Sequence, residues 1–431
     1  MLYIFGAHSR ARTLAAYIRF LEPDKTICGF LVDNDEENPD EVDGVKVIDL
    51  KTSKTHNESL ENFNFLEERE NDGACDARAS LGLDTSLPVY IATRGIYHEG
   101  IESRLKELGF KNIIKVTPAF DMEIRNKYLT KYYLSLGKRF AKIDDLKPAG
   151  CGSCTFKDDY MRGNACVYVA KTAFDTEPKL GYYLPAYANF LQVGTALTDK
   201  RIKDSASTDE EAVDEQTRQL FDSLDSAIKA GLPSENKPNK AVSNKIKFDN
   251  TGDNISEKNK QFCELTGLYW IWKNASEDYV GLEHYRRHFI LPDDWLQRVI
   301  DNDVDLILPI PLYVSPSVEE NYKGRHVASD WDFVMDYLKE HHPKDYAFAK
   351  DFFKGNLYSP CNMFIGKKPV IDAFCEWLFP ILFALEERNG VRDDNYQNRY
   401  PGFISERLLT MYFARREDEI KRVYADKNFL S

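Results

Sequence analysis

Short apolar runs separated by stretches of helical periodicity set the first picture of this chain. Residues 2–5 (LYIF), 26–32, 45–48, 88–92 and 112–116 are apolar runs of strand length. Residues 12–20 and 99–108 carry apolar positions at helical spacing, and Gly109 closes the second of them. Strand, helix, strand in that order predicts a parallel sheet. Residues 121–142, rich in Tyr, Lys and Arg, predict a helix leading away from this first domain. The segment 144–164, with its Pro, Gly and Cys, has the composition of a linker.

A second α/β pattern follows. CVYVA (166–170) is a buried strand, and Cys263, Leu265, Leu268, Tyr269, Ile271 and Trp272 form an apolar stripe on a helix that Ser256 or Asn254 caps and Asn274 stops. Residues 279–282, 304–309 and 362–365 are further strands, 331–339, 369–388 and the stretch from Gly402 are helices, and 310–328 is a long polar loop of the kind that serves as a lid. Two polar stretches, 51–83 and 204–247, interrupt the pattern and are expected to be insertions, the second with a helix over 209–230. The expected architecture is α/β, with a Rossmann-like parallel sheet over 1–120, a helical linker over 121–164 and a second α/β domain over 165–431.

Charge and cysteine content narrow the function. The net charge of −13 over 431 residues argues against nucleic-acid partners, so any phosphate-binding charge has to be concentrated locally. No run of 18 apolar residues exists and the N-terminus has the pattern of a strand and turn, so a cytoplasmic protein with at most peripheral membrane association is expected. The eight cysteines fit reduced thiols. CGSC (151–154) is a lone CxxC without a second pair, which does not make a zinc site, and the His341–His342 pair at a helix end fits a cap better than a metal site.

The densest chemistry lies in residues 249–289. Asp249, Asn250, Gly252, Asp253 and Asn254 form a polar turn. The strand at 279–282 delivers Glu283, His284, Tyr285, Arg286 and Arg287 at its carboxyl end, where open α/β sheets gather ligands. Two guanidiniums at such a place suit a diphosphate, because they bind phosphate oxygens bidentately and stay charged. The bland alternative is a pair of surface arginines in an acidic protein.

DNTGDNIS (249–256), CELTGLYWIWKN (263–274) and YVGLEHYRRHF (279–289), followed by NMFI (362–365), CEWLF (375–379) and GFISERLL (402–409), together resemble the DUF4422 family of bacterial capsule and exopolysaccharide glycosyltransferases over roughly 165–415. The resemblance implies a GT-A-like fold that moves a sugar from a nucleotide diphosphate, a UDP-sugar, onto a glycan or lipid-linked oligosaccharide acceptor. It also implies that Lys171 and Thr172, after the first strand of that domain, approach the base and ribose, and that Asn362 approaches the donor hydroxyls. The N-terminal pattern YIFGAHSRA, GFLVDND, GVKVI, VYIATRG resembles the nucleotide-sugar-binding domain of PglD-like sugar acetyltransferases. It departs from that family at residues 8–12, where small residues are expected beside a pyrophosphate, and a regulatory or assembly role follows, with Asp33 placed to hold a ribose.

Glycosyl transfer needs the leaving diphosphate stabilised, by a divalent metal on a DxD pair or by cationic side chains. Where DxD is expected the chain has Glu283 to Arg287, which favours transfer without metal, Arg286 and Arg287 on the diphosphate and His284 assisting. Asp249 and Asp253 are the ligands should Mg²⁺ or Mn²⁺ take part, with Asn254 beside them on the donor. Glu406, on the helix from Gly402, is either the general base for the acceptor hydroxyl or the partner of a core arginine. The competing readings are a sugar-nucleotide-binding subunit without turnover, and a phosphosugar or nucleotidyl transferase that uses the first domain.

Overall fold

The computed structural model describes residues 1–33, 36–51, 83–149, 164–176, 187–202 and 246–429. Most of both polar insertions, the CGSC pair and Tyr182 to Pro185 lie outside these residues. The chain divides into two compact units, one of residues 1–140 with 313–316 and the other of residues 141–312 with 317–431.

In the first unit β1 (Leu2–Phe5), α1 (Ser9–Leu21), β2 (Ile27–Val32), β3 (Glu41–Val42), β4 (Val45–Asp49), β5 (Val89–Ile91), α2 (His98–Glu107), β6 (Ile113–Lys115) and α3 (Pro118–Ser135) follow one another. The sheet order is β3-β4-β2-β1-β5-β6, parallel except for the β3–β4 edge. Alternation along β1 builds two cores. Leu2 and Ile4 pack with Leu14 and Ile18 of α1 and with Phe120 and Ile124 of α3. Tyr3 and Phe5 pack with Leu105 of α2 and with Phe110 on the opposite face. The result is a three-layer, Rossmann-like unit. Thr117 starts α3 by accepting the Phe120 N–H at 3.2 Å, with Pro118 at the first helical position.

The second unit carries β7 (Ala165–Lys171), β8 (Ala188–Gln192), β9 (Lys247–Phe248), α4 (Asn259–Phe262), α5 (Leu265–Asn274), β10 (Tyr279–His284), α6 (Trp295–Asp301), β11 (Leu306–Pro309), β12 (Leu312–Tyr313), α7 (Val318–Lys323), α8 (Ala328–His341), α9 (Pro343–Phe352), β13 (Leu357–Tyr358), β14 (Phe364–Lys367), α10 (Lys368–Asn389), α11 (Tyr400–Arg415) and β15 (Arg422–Ala425). Its sheet runs β15-β11-β14-β10-β7-β8-β9, parallel except that β14 lies antiparallel between β10 and β11. This mixed, parallel-rich α/β layout is consistent with a GT-A-like domain. β10 is central, and a side chain on its Gly281 would meet Ile365 Cγ1 and Phe364 O at 2.9 Å, which is why glycine stands there.

Two expectations change. The stretch 310–328 is not a continuous loop: Ser317 accepts the Glu320 N–H at 3.0 Å and opens α7, whose Val318 and Tyr322, one helical turn apart, are both buried. The helix expected through the 263–274 stripe is broken at Cys263, where φ is +49° and ψ −123°. His342 precedes Pro343 at the start of α9, a helix that the polar composition concealed.

Candidate active site

β10 ends in a tight turn, with His284 N donating to Arg287 O at 3.2 Å and Arg287 N donating to His284 O at 2.9 Å. Adjacent strand residues face opposite ways, so Glu283 and His284 part company here. Glu283 is fully buried and accepts Phe289 N at 2.8 Å, His288 Nδ1 at 2.7 Å and Tyr187 Oη at 3.3 Å. It ties down the chain that returns from the turn and offers no oxygen to a metal.

His284 faces a cluster drawn from three other segments. Its Nε2 lies 2.5 Å from Cys361 O, and since a carbonyl only accepts, that nitrogen carries the hydrogen. Burial pushes the imidazole below its ordinary range, against the pull of Glu264. Asn362, fully buried, donates from Nδ2 to Glu264 Oε1 at 2.8 Å and to Gly402 O at 3.1 Å, while its Oδ1 has no partner among the described residues. Cys361 N donates to Glu406 Oε1 at 2.8 Å, and Arg407 Nη1 donates to Glu406 Oε2 at 2.7 Å. Burial raises the Glu406 carboxyl and Arg407 opposes that rise. Glu406 thus takes the second of its two expected places, as the partner of an arginine.

Backbone strain concentrates here. Cys263, Cys361 and Asn362 hold φ values of +49°, +77° and +49°, each costing about 1–3 kcal/mol that the surrounding contacts have to offset. Burial raises the Cys263 and Cys361 thiols to about 11, so neither is a thiolate at neutral pH.

The turn separates the two arginines. Arg287 acts on His284, Cys361 and Glu406 electrostatically, lies 5.3 Å from the Phe429 ring and makes no ion pair with the described residues. Arg286 points toward the loop after β7, donating from Nη2 to Thr176 Oγ1 at 2.8 Å, and its buried Nε has no partner among the described residues. Lys171 closes β7 and Thr172 opens that loop. Lys171 is buried with Nζ 5.5 Å from the Phe190 ring centre, and Thr172 is fixed by its N–H to Asp175 Oδ2 at 2.6 Å. Arg286 therefore shares a neighbourhood with the β7 loop, and Arg287 with Asn362 and Glu406.

The polar turn at 249–254 is committed to structural bonds. Asp249 is fully buried and accepts Thr195 N at 3.0 Å and Ser256 Oγ at 2.5 Å on one oxygen, and Gly194 N at 2.9 Å and Thr266 Oγ1 at 2.7 Å on the other. With four donors in place it organises the 194–196 loop, and this arrangement does not fit a metal ligand. Asp253 O accepts from Asn274 at 2.8 Å, at the far end of α5 from Glu264, about 15 Å along a ten-residue helix. Asn254 is spent on the turn itself, accepting Ser256 N at 3.2 Å and donating to Gly252 O at 2.9 Å. Among the described residues no group of three or more His, Cys, Asp or Glu side chains forms a metal-ligand set, and no helix is long and apolar enough to cross a membrane.

In the first unit a cavity of about 520 Å³ opens at the carboxyl ends of β1, β2 and β5, beside Gly6, His8, Arg10 and Thr93. Asp33 accepts Arg104 Nε at 3.3 Å, so its carboxylate already has a partner.

Glu264 and Arg399 carry no local signal in the sequence, and Cys263 reads there only as the first position of an apolar stripe. The apolar stripe reads straight through position 263, and only the break there turns Glu264 toward Asn362. Arg399 Nε donates to Cys263 Sγ at 3.0 Å, a pairing across 136 positions that no local pattern announces.

Residues 226–417 match the family model described as a domain of unknown function, DUF4422. No curated protein matches the chain. Among solved structures, the apo structure of the bifunctional glycosyltransferase WbbM is 24% identical, with 62% of this chain and 45% of that chain covered and a TM-score of 0.45. This chain thus spans less than half of the WbbM chain. The mannosyltransferase Ktr4p from S. cerevisiae is 15% identical, with 67% and 72% covered and a TM-score of 0.27, and its complex with GDP is 14% identical, with 68% and 75% covered and a TM-score of 0.25. All three structures are of glycosyltransferases, and the stretch that matches DUF4422 contains every segment of the cluster around His284.

Proposed function

We propose that the second unit transfers a sugar from a nucleotide diphosphate donor, a UDP-sugar, to a hydroxyl of a glycan or lipid-linked oligosaccharide. One observation carries the reading: a half-buried neutral histidine, two carboxylates and Arg287, which makes no ion pair with the described residues, converge at the carboxyl end of a central parallel strand. In the reaction the bond from the anomeric carbon to the phosphate oxygen breaks, the acceptor oxygen bonds to that carbon, and its proton passes to a carboxylate. Arg287, with Arg286, neutralises the charge that grows on the diphosphate, and Lys171 and Thr172 border the nucleotide. Asn362 positions the carboxylates, and His284 keeps the Cys361 carbonyl in place beside the reacting sugar. Charge stabilisation by arginine makes the transfer metal-independent, so activity survives EDTA; activity lost to EDTA and restored by Mn²⁺ overturns that part.

The setting in capsule, exopolysaccharide or O-antigen assembly at the cytoplasmic face of the membrane rests on the resemblance to DUF4422 enzymes. For the first unit we infer a regulatory or assembly role. The test is a thermal-shift screen of nucleotide sugars followed by transfer assays on Arg287→Ala. Removing one charge-assisted contact of about 1.5–3 kcal/mol lowers kcat/KM roughly 10- to 150-fold. Binding of a nucleotide sugar without any turnover, or full activity in Arg287→Ala, would sink the reading.

A further inference from the structure

The proposed transfer needs a place for the acceptor, and an aromatic surface beside the cluster has the chemistry for one. Tyr396 is 53% exposed, and its ring lies 5.0 Å from that of Phe403 and 5.7 Å from that of His326. His326 in turn stacks on Phe403 at 4.1 Å with 23° between the planes. The loop that bears Tyr396 is pinned: Asp394 Oδ1 accepts Tyr396 N at 2.8 Å and Gln397 N at 3.1 Å, and Arg392 pairs bidentately with the fully buried Asp330. A large exposed aromatic on a rigid loop is a ready-made platform.

The platform adjoins a carboxylate that has room to act. Phe403 follows Gly402, and a side chain at 402 would stand 3.9 Å from Glu264 Oε1. Arg399 joins the two, 5.7 Å over the Phe403 ring and bonded to the thiol next to Glu264. Both oxygens of Glu406 are engaged, by Cys361 N and by Arg407, whereas Glu264 is only partly buried and shares one oxygen with Asn362. Arg286 reaches toward the loop after β7, whereas Phe403 of the platform stands on α11.

We propose that the acceptor is a sugar ring that lies with its C–H face on Tyr396 and Phe403 and presents its hydroxyl to Glu264, the general base. This rests on the glycosyl-transfer reading above. The apolar C–H face of a pyranose matches an aromatic ring, and the Arg399 guanidinium supplies donors for the ring's hydroxyls. The proton leaves the acceptor oxygen for Glu264 as that oxygen bonds to the anomeric carbon.

The experiment is initial-rate kinetics on the full chain, with the donor found by thermal shift from a panel of UDP- and GDP-sugars and with octyl α- and β-hexosides as acceptors. Tyr396→Ala raises the acceptor KM about tenfold with the donor KM unmoved, as expected for one lost stacking contact, and Tyr396→Phe restores it. Glu264→Gln, which keeps an oxygen for Asn362, lowers kcat about 100-fold at unchanged donor KM. An active wild type whose acceptor KM stays within about twofold in Tyr396→Ala, or a fully active Glu264→Gln, overturns the acceptor site alone. A wild type that transfers no sugar from any donor in the panel removes the underlying reading as well, and that failure appears before any variant is made.

Discussion

Asp249→Asn separates a carboxylate that builds a loop from one that serves a ligand. The substitution keeps the shape and one oxygen, so the bonds from Thr195 N and Ser256 Oγ survive without the charge. The Thr266 hydroxyl adapts, since it can donate to Cys263 O, 3.1 Å away, and accept from the new amide. Gly194 N–H has no such freedom and faces an NH₂ group across 2.9 Å. One orphaned buried donor costs about 1–3 kcal/mol, and losing the charge from the other three bonds costs about 0.5–1 kcal/mol each, so the expected loss is about 3–6 kcal/mol. With a urea m-value of about 3 kcal/mol/M the unfolding midpoint falls by about 1–2 M. Tryptophan fluorescence reads this directly, because the Trp270 indole donates to Thr251 in the same loop. Asp253→Asn, at an exposed site, is the control and stays within about 0.5 kcal/mol. An Asp249→Asn midpoint within about 0.3 M of the wild type, under about 1 kcal/mol, together with weakened donor binding, would refute the reasoning and return Asp249 to the ligand.

Two further outcomes are expected. Burial, reinforced by Arg407, pushes the His326 imidazole down to about 4; between its ordinary value of about 6.5 and that point the unfolded chain binds a proton that the folded chain refuses, so stability falls as pH drops through this window. After screening of a partly exposed ring the loss is about 1–2 kcal/mol, and His326→Phe, which keeps the stack on Phe403, flattens the stability profile measured by urea titration at each pH; an unchanged slope refutes it. Gly281→Ala forces a methyl group against Ile365 and Phe364 at 2.9 Å, costs about 2–3 kcal/mol and lowers the melting temperature by about 5–10 °C, and a melt within about 1 °C of the wild type would contradict the packing of β10.

The strands and long helices were legible because each is a run whose period or apolarity decides its state locally. Residues 2–5 and 279–282 are examples, and the stripe 369–388 became α10 almost residue for residue. What was not legible depends on tertiary partners. The break at Cys263 is enforced by contacts from Arg399 and Asn259 rather than by a breaker in the sequence. α7 hid in a polar segment because its stabilising apolar residues are only Val318 and Tyr322. Within the site, the position of His284 and Arg287 at a strand end followed from the sequence, whereas the division of labour among carboxylates did not. Composition cannot tell Glu283, which closes a loop, from Glu264, which stands open beside a histidine.

The cluster draws on segments at 263–264, 284–287, 361–362 and 399–407, so its closure spans more than 140 positions of chain. A ribosome-bound chain that has emerged only as far as β10 holds His284 and the arginines but neither Glu406 nor the backbone that accepts from His284. The cluster therefore exists as a unit only once residues 399–407 have packed against Cys361 and Asn362.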